Sequence, residues 1–149
     1  MDKFLDQLGR RILFFDGAMG TMLQARGLGS GELPELWNLT RPEVVVDIHR
    51  QYVEAGCDIL KTNTFGGNAM KLRETGRTVE EVAAAAVKNA REGARLAGRE
   101  AYVAMDIGPS GKLMAPLGDL GFEQAYELFA GMAAAGERAG ADLILIETM

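Results

Sequence analysis

One histidine and one cysteine are all that this 149-residue chain offers of the two side chains most used to bind zinc. His49 and Cys57 cannot complete a Cys/His metal site by themselves, and a lone cysteine excludes an internal disulfide. Positive charge is also short: 16 Lys and Arg stand against 21 Asp and Glu, mixed along the chain, for a net charge of -5. Without the basic stripe that a phosphate backbone or an anionic bilayer requires, nucleic acid and membrane are excluded as expected partners. No apolar run approaches the roughly 20 residues that span a bilayer, and the opening MDKFLDQLGRR has no signal-peptide core. A cytoplasmic protein is expected. What is present, 48% hydrophobic and 25% charged residues, is ordinary for one globular unit over residues 1–149.

Phe4, Leu5 and Leu8 at helical spacing before Gly9 predict a short amphipathic lead-in helix. Ile12 to Phe15 then reads as a fully buried strand that breaks into the loop Asp16-Gly17-Ala18-Met19-Gly20-Thr21. Residues 25–39 read as loop, in which Trp37 is expected to anchor the segment. Thr40-Arg41-Pro42-Glu43 has the form of a capping box and opens a helix running to Gly56. DILKTNTFGG is the second strand and its loop. Thr78-Val79-Glu80-Glu81 is another capping box, before a long alanine-rich helix ending near Gly98. AYVAMDIGPSG is a third strand, residues from about Phe122 to Gly140 a third long helix, and LILIE a fourth strand. Ala55-Gly56-Cys57-Asp58-Ile59-Leu60 is echoed by Ala139-Gly140-Ala141-Asp142-Leu143-Ile144, which superposes Asn63-Thr64 on Glu147-Thr148.

Strands that are apolar nearly throughout and alternate with helices imply an α/β protein with a covered parallel sheet and right-handed crossovers. A dinucleotide fold would carry G-x-G-x-x-G after its first strand, whereas this chain has an acid and unpaired glycines there. Every strand ends in polar or glycine residues, as the strands of a (β/α)8 barrel do at the mouth that carries its chemistry. Since such barrels take about 250 residues, four β/α units are expected to form about half of one.

Asp16 and Glu147, at the ends of the first and fourth strands, would share a rim and suit an ammonium group. The bland alternative for each is a helix cap or an ion pair. The amides of Gly17 and Ala18, and those of Ser110 and Gly111, are placed to nest a carboxylate. An ammonium site beside an anion nest describes an amino-acid pocket, with Asn63 in register. Cys57 reads as packed core, His49 as a packed or half-exposed helix residue rather than a ligand, the scattered methionines as core filler, and Lys71, Arg73 and Arg77 as solvated surface. An aldolase-like reading would need a strand-end lysine, for which Lys61 is the only candidate.

FDGAMGT, LWNLTRPEVVVDIHRQYVEAGCDILKTNTFGGNAMKL, DIGPSG and ILIET together resemble the N-terminal half of the homocysteine S-methyltransferase domain, most closely the homocysteine-binding domain of cobalamin-dependent methionine synthases. The resemblance implies a partial TIM barrel over residues 1–149 and, in the intact domain, a zinc ion that activates the thiol of L-homocysteine for attack on a methyl donor. It matches Asp16 and Glu147 to acids near the substrate amino group, and Gly17, Ala18, Asn63, Ser110 and Gly111 to pocket-lining segments. It implies cobalamin and 5-methyltetrahydrofolate in other modules of a parent enzyme, with betaine or S-methylmethionine donors as alternatives. The family's zinc cysteines lie on later strands, and Cys57 matches none of them. No residue here is therefore assigned a catalytic or metal-binding role, and this chain alone is expected to be inactive. Open edges on a half-barrel would favour a homodimer, or a self-associating binding module without catalysis.

Overall fold

A computed structural model describes residues 4–149. Its core is a three-stranded parallel sheet in the order β1 (Ile59–Lys61), β2 (Tyr102–Ile107), β3 (Leu143–Ile146). The helices α4 (Pro42–Glu54), α6 (Val79–Leu96) and α7 (Phe122–Ala139) pack on one face of it, and the short helices α2 (Met19–Gln24) and α5 (Ala69–Leu72) lie in the connecting segments. The parallel β/α order stands as the sequence implies. Gly56 and Gly140, with φ of +107° and +83°, end α4 and α7 in the left-handed conformation that a side chain would strain.

The helical layer is drawn close by small residues. Along α6, Ala83, Ala86, Ala90, Gly93 and Ala94 are buried with Val82 and Val87. A methyl group on Gly93 would lie 2.5 Å from His49 Cβ of α4, and one on Gly136 of α7 would lie 2.5 Å from Met105 Cγ of β2. The Thr78 capping box forms: Glu81 N donates to Thr78 Oγ1 at 3.1 Å, and Thr78 N to Glu81 Oε2 at 3.0 Å.

On the other face, strand alternation brings Ile59, Tyr102, Ala104, Leu143 and Leu145 together as a second apolar layer. The short helix α1 (Phe4–Gln7) lays Phe4 edge-on against Tyr102, ring centroids 5.3 Å apart. Met1 to Lys3, part of the lead-in helix expected from sequence, lie outside the described residues.

Three expectations are corrected. The first strand is neither regular nor buried: it reduces to a parallel bridge at Phe15 with Ile59, and Ile12, Phe14 and Phe15 are exposed. It has a partner on one side only, so apolar residues in sequence do not guarantee a covered strand. Residues 25–39 are not all loop, because a 3-10 turn (Pro34–Leu36) and α3 (Trp37–Thr40) form there. Thr40 consequently does not cap α4: it lies inside α3, its hydroxyl donates to Leu36 O, and Arg41 takes the N-cap position without a side-chain bond. Trp37 does anchor its segment, buried beside Leu23, Val45 and Ile48, with Nε1 donating to Glu32 and the Arg41 guanidinium 4.4 Å above the ring.

Candidate functional site

The inner face of each strand runs from apolar to ionic in the chain direction. Ile59 leads to Lys61, Tyr102 and Ala104 lead to Asp106, and Leu143 and Leu145 lead to Glu147. At the ionic end lies a cleft of about 300 Å³, lined by Ala18, Met19, Glu35, Lys61, Asn63, Asp106 and Glu147 among others. This is the C-terminal edge of the strands, where β/α folds place their sites. A larger groove of about 660 Å³ between Arg73 and Glu127 carries mixed charges that are all exposed. Solvated charges of both signs define no ligand, so the smaller cleft is the better candidate.

Asp16 sits behind the cleft lining, buried, with Oδ2 accepting from the Lys61 amide at 3.1 Å and Oδ1 without a partner. Burial pushes its carboxyl up to about 7, against the opposing pull of the Lys61 amide and ammonium. Asp106, 5% exposed, also has an unpartnered Oδ1, and burial, reinforced by the charge of Glu147, pushes it up to about 7. Two buried carboxyls whose proton affinities fall near neutrality are poised to receive a cation, which would supply the missing partner and restore the ionised form. Glu147 Oε2 lies 3.6 Å from Lys61 Nζ.

The surroundings hold these acids in place. Asp106 N donates to Thr62 Oγ1 at 3.0 Å, Thr62 and Thr64 share a 2.6 Å hydroxyl bond, and Thr64 Oγ1 donates to Asp106 O at 2.7 Å. Asn38 Nδ2 donates to Asn63 O and Glu35 O, Asn63 Nδ2 donates to Pro34 O, and Asn89 Nδ2 of α6 donates to Asn38 O. Glu35 Oε1 accepts from Gly66 N at 2.6 Å. Phe65 lies against Gly108, where a methyl group would meet its ring at 2.6 Å.

Of the sequence-derived residues, Ala18, Asn63 and Glu147 line the cleft and Asp16 lies behind it. Gly17 packs beside Tyr52, whose hydroxyl donates to Ala18 O. Ser110 and Gly111 are not among the lining residues: Ser110 Oγ accepts from Lys112 N and donates to Lys112 O, closing that loop on itself. Sequence reasoning did not place Asp106 or Glu35 in the site, and weighed Lys61 only as the lysine of an aldolase-like reading. The signal for Asp106 was its place at a strand end in AYVAMD; for Glu35 there was none, since its role rests on a bond to a distant loop. Cys57 is core, as expected, and of the packed and half-exposed alternatives His49 takes the packed one. The His49 ring is fully buried with neither nitrogen partnered, and burial lowers it to about 4, so it is neutral. The Cys57 thiol is pushed up to about 12 by burial.

Comparison with known proteins points the same way. The chain is 36% identical to the methionine synthase of Mycobacterium tuberculosis and 32% identical to that of Mycobacterium leprae, each over 97% of this chain. It spans only 13% of the length of either relative. Among solved structures, the homocysteine methyltransferase MmuM from Escherichia coli superposes with a TM-score of 0.79 in its metallated form and 0.75 in its oxidised form, both at 25% identity. The match covers 97% and 95% of this chain and 56% and 53% of those chains, about half of a TIM barrel. The sequence model of homocysteine S-methyltransferases matches residues 13–149, and the chain belongs to that family.

Proposed function

We propose that this chain is the homocysteine-binding half of a zinc-dependent methyltransferase of the methionine synthase type, which moves a methyl group onto the thiol of L-homocysteine to form methionine. The observation that carries the reading is the acidic cleft at the strand ends, where Asp106 and Glu147 face the cavity with Asp16 behind them. In this reading Asp16, Asp106 and Glu147 receive the substrate ammonium. The amides of the Gly17-Ala18 turn meet its carboxylate, and Asn63 shapes the floor. Ser110 and Gly111 remain the second candidate nest, brought to the substrate only if their loop opens.

The residues present do not fit the zinc ion. Among the described residues no three His, Cys, Asp or Glu side chains gather to hold a metal, and Cys57 and His49 are sealed in the core. Activation of the thiol therefore belongs to parts of the parent enzyme outside this chain, and the chain alone binds without catalysing. Identity to methionine synthases over nearly the whole chain supports a cobalamin-borne methyl group, replenished from 5-methyltetrahydrofolate by other modules. A small-molecule substrate, with no helix among the described residues long and apolar enough to cross a membrane, accords with a cytoplasmic enzyme.

Calorimetry of the chain with L-homocysteine, with and without zinc, tests the reading. Saturable binding independent of zinc is expected. Absence of binding contradicts the substrate assignment, and binding that requires zinc contradicts the claim that the metal ligands lie elsewhere.

A second reading is favoured by the edges. Among the described residues strand β3 is paired only with β2, and Ile144 and Ile146 are exposed along it, as are Phe14 and Phe15 at the opposite side of the sheet. Two copies joined edge to edge would cover them. Light scattering behind size-exclusion chromatography at micromolar concentration is expected to show a dimer; a stable monomer would remove this reading.

A further inference from the structure

Lys61 is the only cation lining the acidic cleft among the described residues. It ends β1 on the inner face, with its side chain 21% exposed and its ammonium 3.6 Å from Glu147 Oε2. Its own amide anchors Asp16 Oδ2. The titratable groups around it come from several segments: Asp16 from the first loop, Glu35 from the 3-10 turn, Tyr52 from α4, Asp106 from β2 and Glu147 after β3. Among the lining residues, the carboxyls of Glu35, Asp106 and Glu147 outnumber the single ammonium of Lys61.

We propose that Lys61 is a positioning residue for this cleft: its ammonium holds Glu147 and draws Asp16 and Asp106 toward the charged form, until a substrate ammonium takes its place among the acids. The final clause rests on the substrate reading above; the rest concerns the free chain. An isolated acidic cleft would satisfy its buried oxygens by taking up protons, and a protonated carboxyl is a poor acceptor for an ammonium group. A tethered cation opposes that without filling the cleft, because at 3.6 Å the pair is at the long end of ion-pair contact and is readily exchanged. The direction of the electrostatics agrees: Lys61 lowers the proton affinity of both aspartates, and Glu147 raises it. Lys61 therefore works for the substrate near neutral pH, where it enlarges the charged fraction of the acids. It works against the substrate at higher pH, where the acids are charged regardless and it competes for Glu147.

Carbon-detected NMR titration of the side-chain carboxyls from pH 4 to 9 tests this in the wild-type chain and in Lys61→Met, Lys61→Gln and Lys61→Arg. The midpoints of Asp16 and Asp106 are expected to rise by about half a pH unit or more, roughly threefold in proton affinity, in the Met and Gln variants and to stay near wild type in Arg. Either neutral variant suffices if the other does not fold. Unchanged midpoints in a folded neutral variant would overturn the proposal. Binding of L-homocysteine adds a second readout: the loss of affinity in the neutral variant is expected at pH 6.5 and is expected to vanish or reverse at pH 8.5. A loss of the same size at both pH values would indicate mere structural damage and overturn the role. If the wild-type chain binds no L-homocysteine, the substrate reading fails, while the carboxyl titration still decides the matter for Lys61.

Discussion

The amide of Asp106 donates to Thr62 Oγ1 at 3.0 Å, and the carbonyl of the same residue accepts from Thr64 Oγ1 at 2.7 Å. With the Thr62-Thr64 hydroxyl bond this closes a ring, beside which Met105 Sδ lies 3.7 Å from Thr62 Oγ1 and 3.5 Å from Thr64 Oγ1 as a weaker acceptor. Thr62→Val keeps the shape of the side chain and removes the link. The Asp106 N-H is then buried without an acceptor, and a loss of about 1–3 kcal/mol in folding stability is expected by urea unfolding. The Asp106 carboxylate also loses its fixed direction, so ligand affinity falls with it.

The two buried aspartates set a pH dependence whose sign can be worked out. Asp106 has its proton affinity raised in the folded chain, from the ordinary 3.8 to about 7. A group raised on folding favours the folded state fully below its unfolded value, and that contribution is lost as pH rises through the folded value. Between about pH 4 and 7 the wild-type chain is expected to lose stability, of order 2–4 kcal/mol from this group. Asp106→Asn cannot lose a proton, so its Tm should exceed that of wild type at pH 8 and converge with it near pH 4. A Tm difference that does not change with pH would contradict the assignment. The higher stability should come with weaker binding, since the orphaned oxygen is what the substrate ammonium completes.

The sequence echo around Asp58 and Asp142 has a mechanical cause. Asp58 N donates to Phe14 O at 2.8 Å while Phe14 N donates to Asp58 Oδ2 at 3.0 Å; Asp142 N donates to Val103 O at 2.8 Å while Val103 N donates to Asp142 Oδ2 at 2.7 Å. In each unit the aspartate before a strand grips one residue of the neighbouring strand with both backbone and side chain, which fixes the parallel register. Asp142→Ala is expected to cost about 1–3 kcal/mol by chemical denaturation, through the unpaired Val103 amide. Hydrogen exchange at Val103 should accelerate more than exchange in α6.

Glycines in α7 divide by what surrounds them. A methyl group at Gly136 would collide with Met105 of β2, whereas one at Gly131 meets nothing within 4 Å. Gly136→Ala is expected to lower stability by about 1–3 kcal/mol through overpacking. Gly131→Ala is expected to raise it by up to about 1 kcal/mol through helix propensity. Thermal unfolding of the two single variants measures both.

Much of the fold was legible because period and punctuation agree locally. The Thr78 box, the terminal glycines at 56 and 140, and the apolar strands before Thr62 and Glu147 each announce themselves within a few residues. What was not legible depends on distant partners. Ile12 to Phe15 look like a buried strand, but burial requires a neighbour that sequence does not display. Thr40 has the composition of a cap, yet α3 had already claimed it. In the site, Asp16, Ala18, Asn63 and Glu147 could be read from strand ends, whereas Glu35 depends on a bond to Gly66 across 31 residues. The inward direction of Lys61 follows from register with Ala104 of β2, which alternation alone leaves undecided.

Recognition of an ammonium group by the acids of the cleft is tested most directly by amide NMR titration of the chain with L-homocysteine and with 4-mercaptobutanoate, the same thiol acid without the amino group. Saturable shifts at Ala18, Asn63 and Glu147 are expected with L-homocysteine only, and are expected to disappear in Glu147→Gln combined with Asp106→Asn. Equal shifts with the two compounds, or an undiminished response in the double variant, would contradict the assignment of this cleft as an amino-acid site.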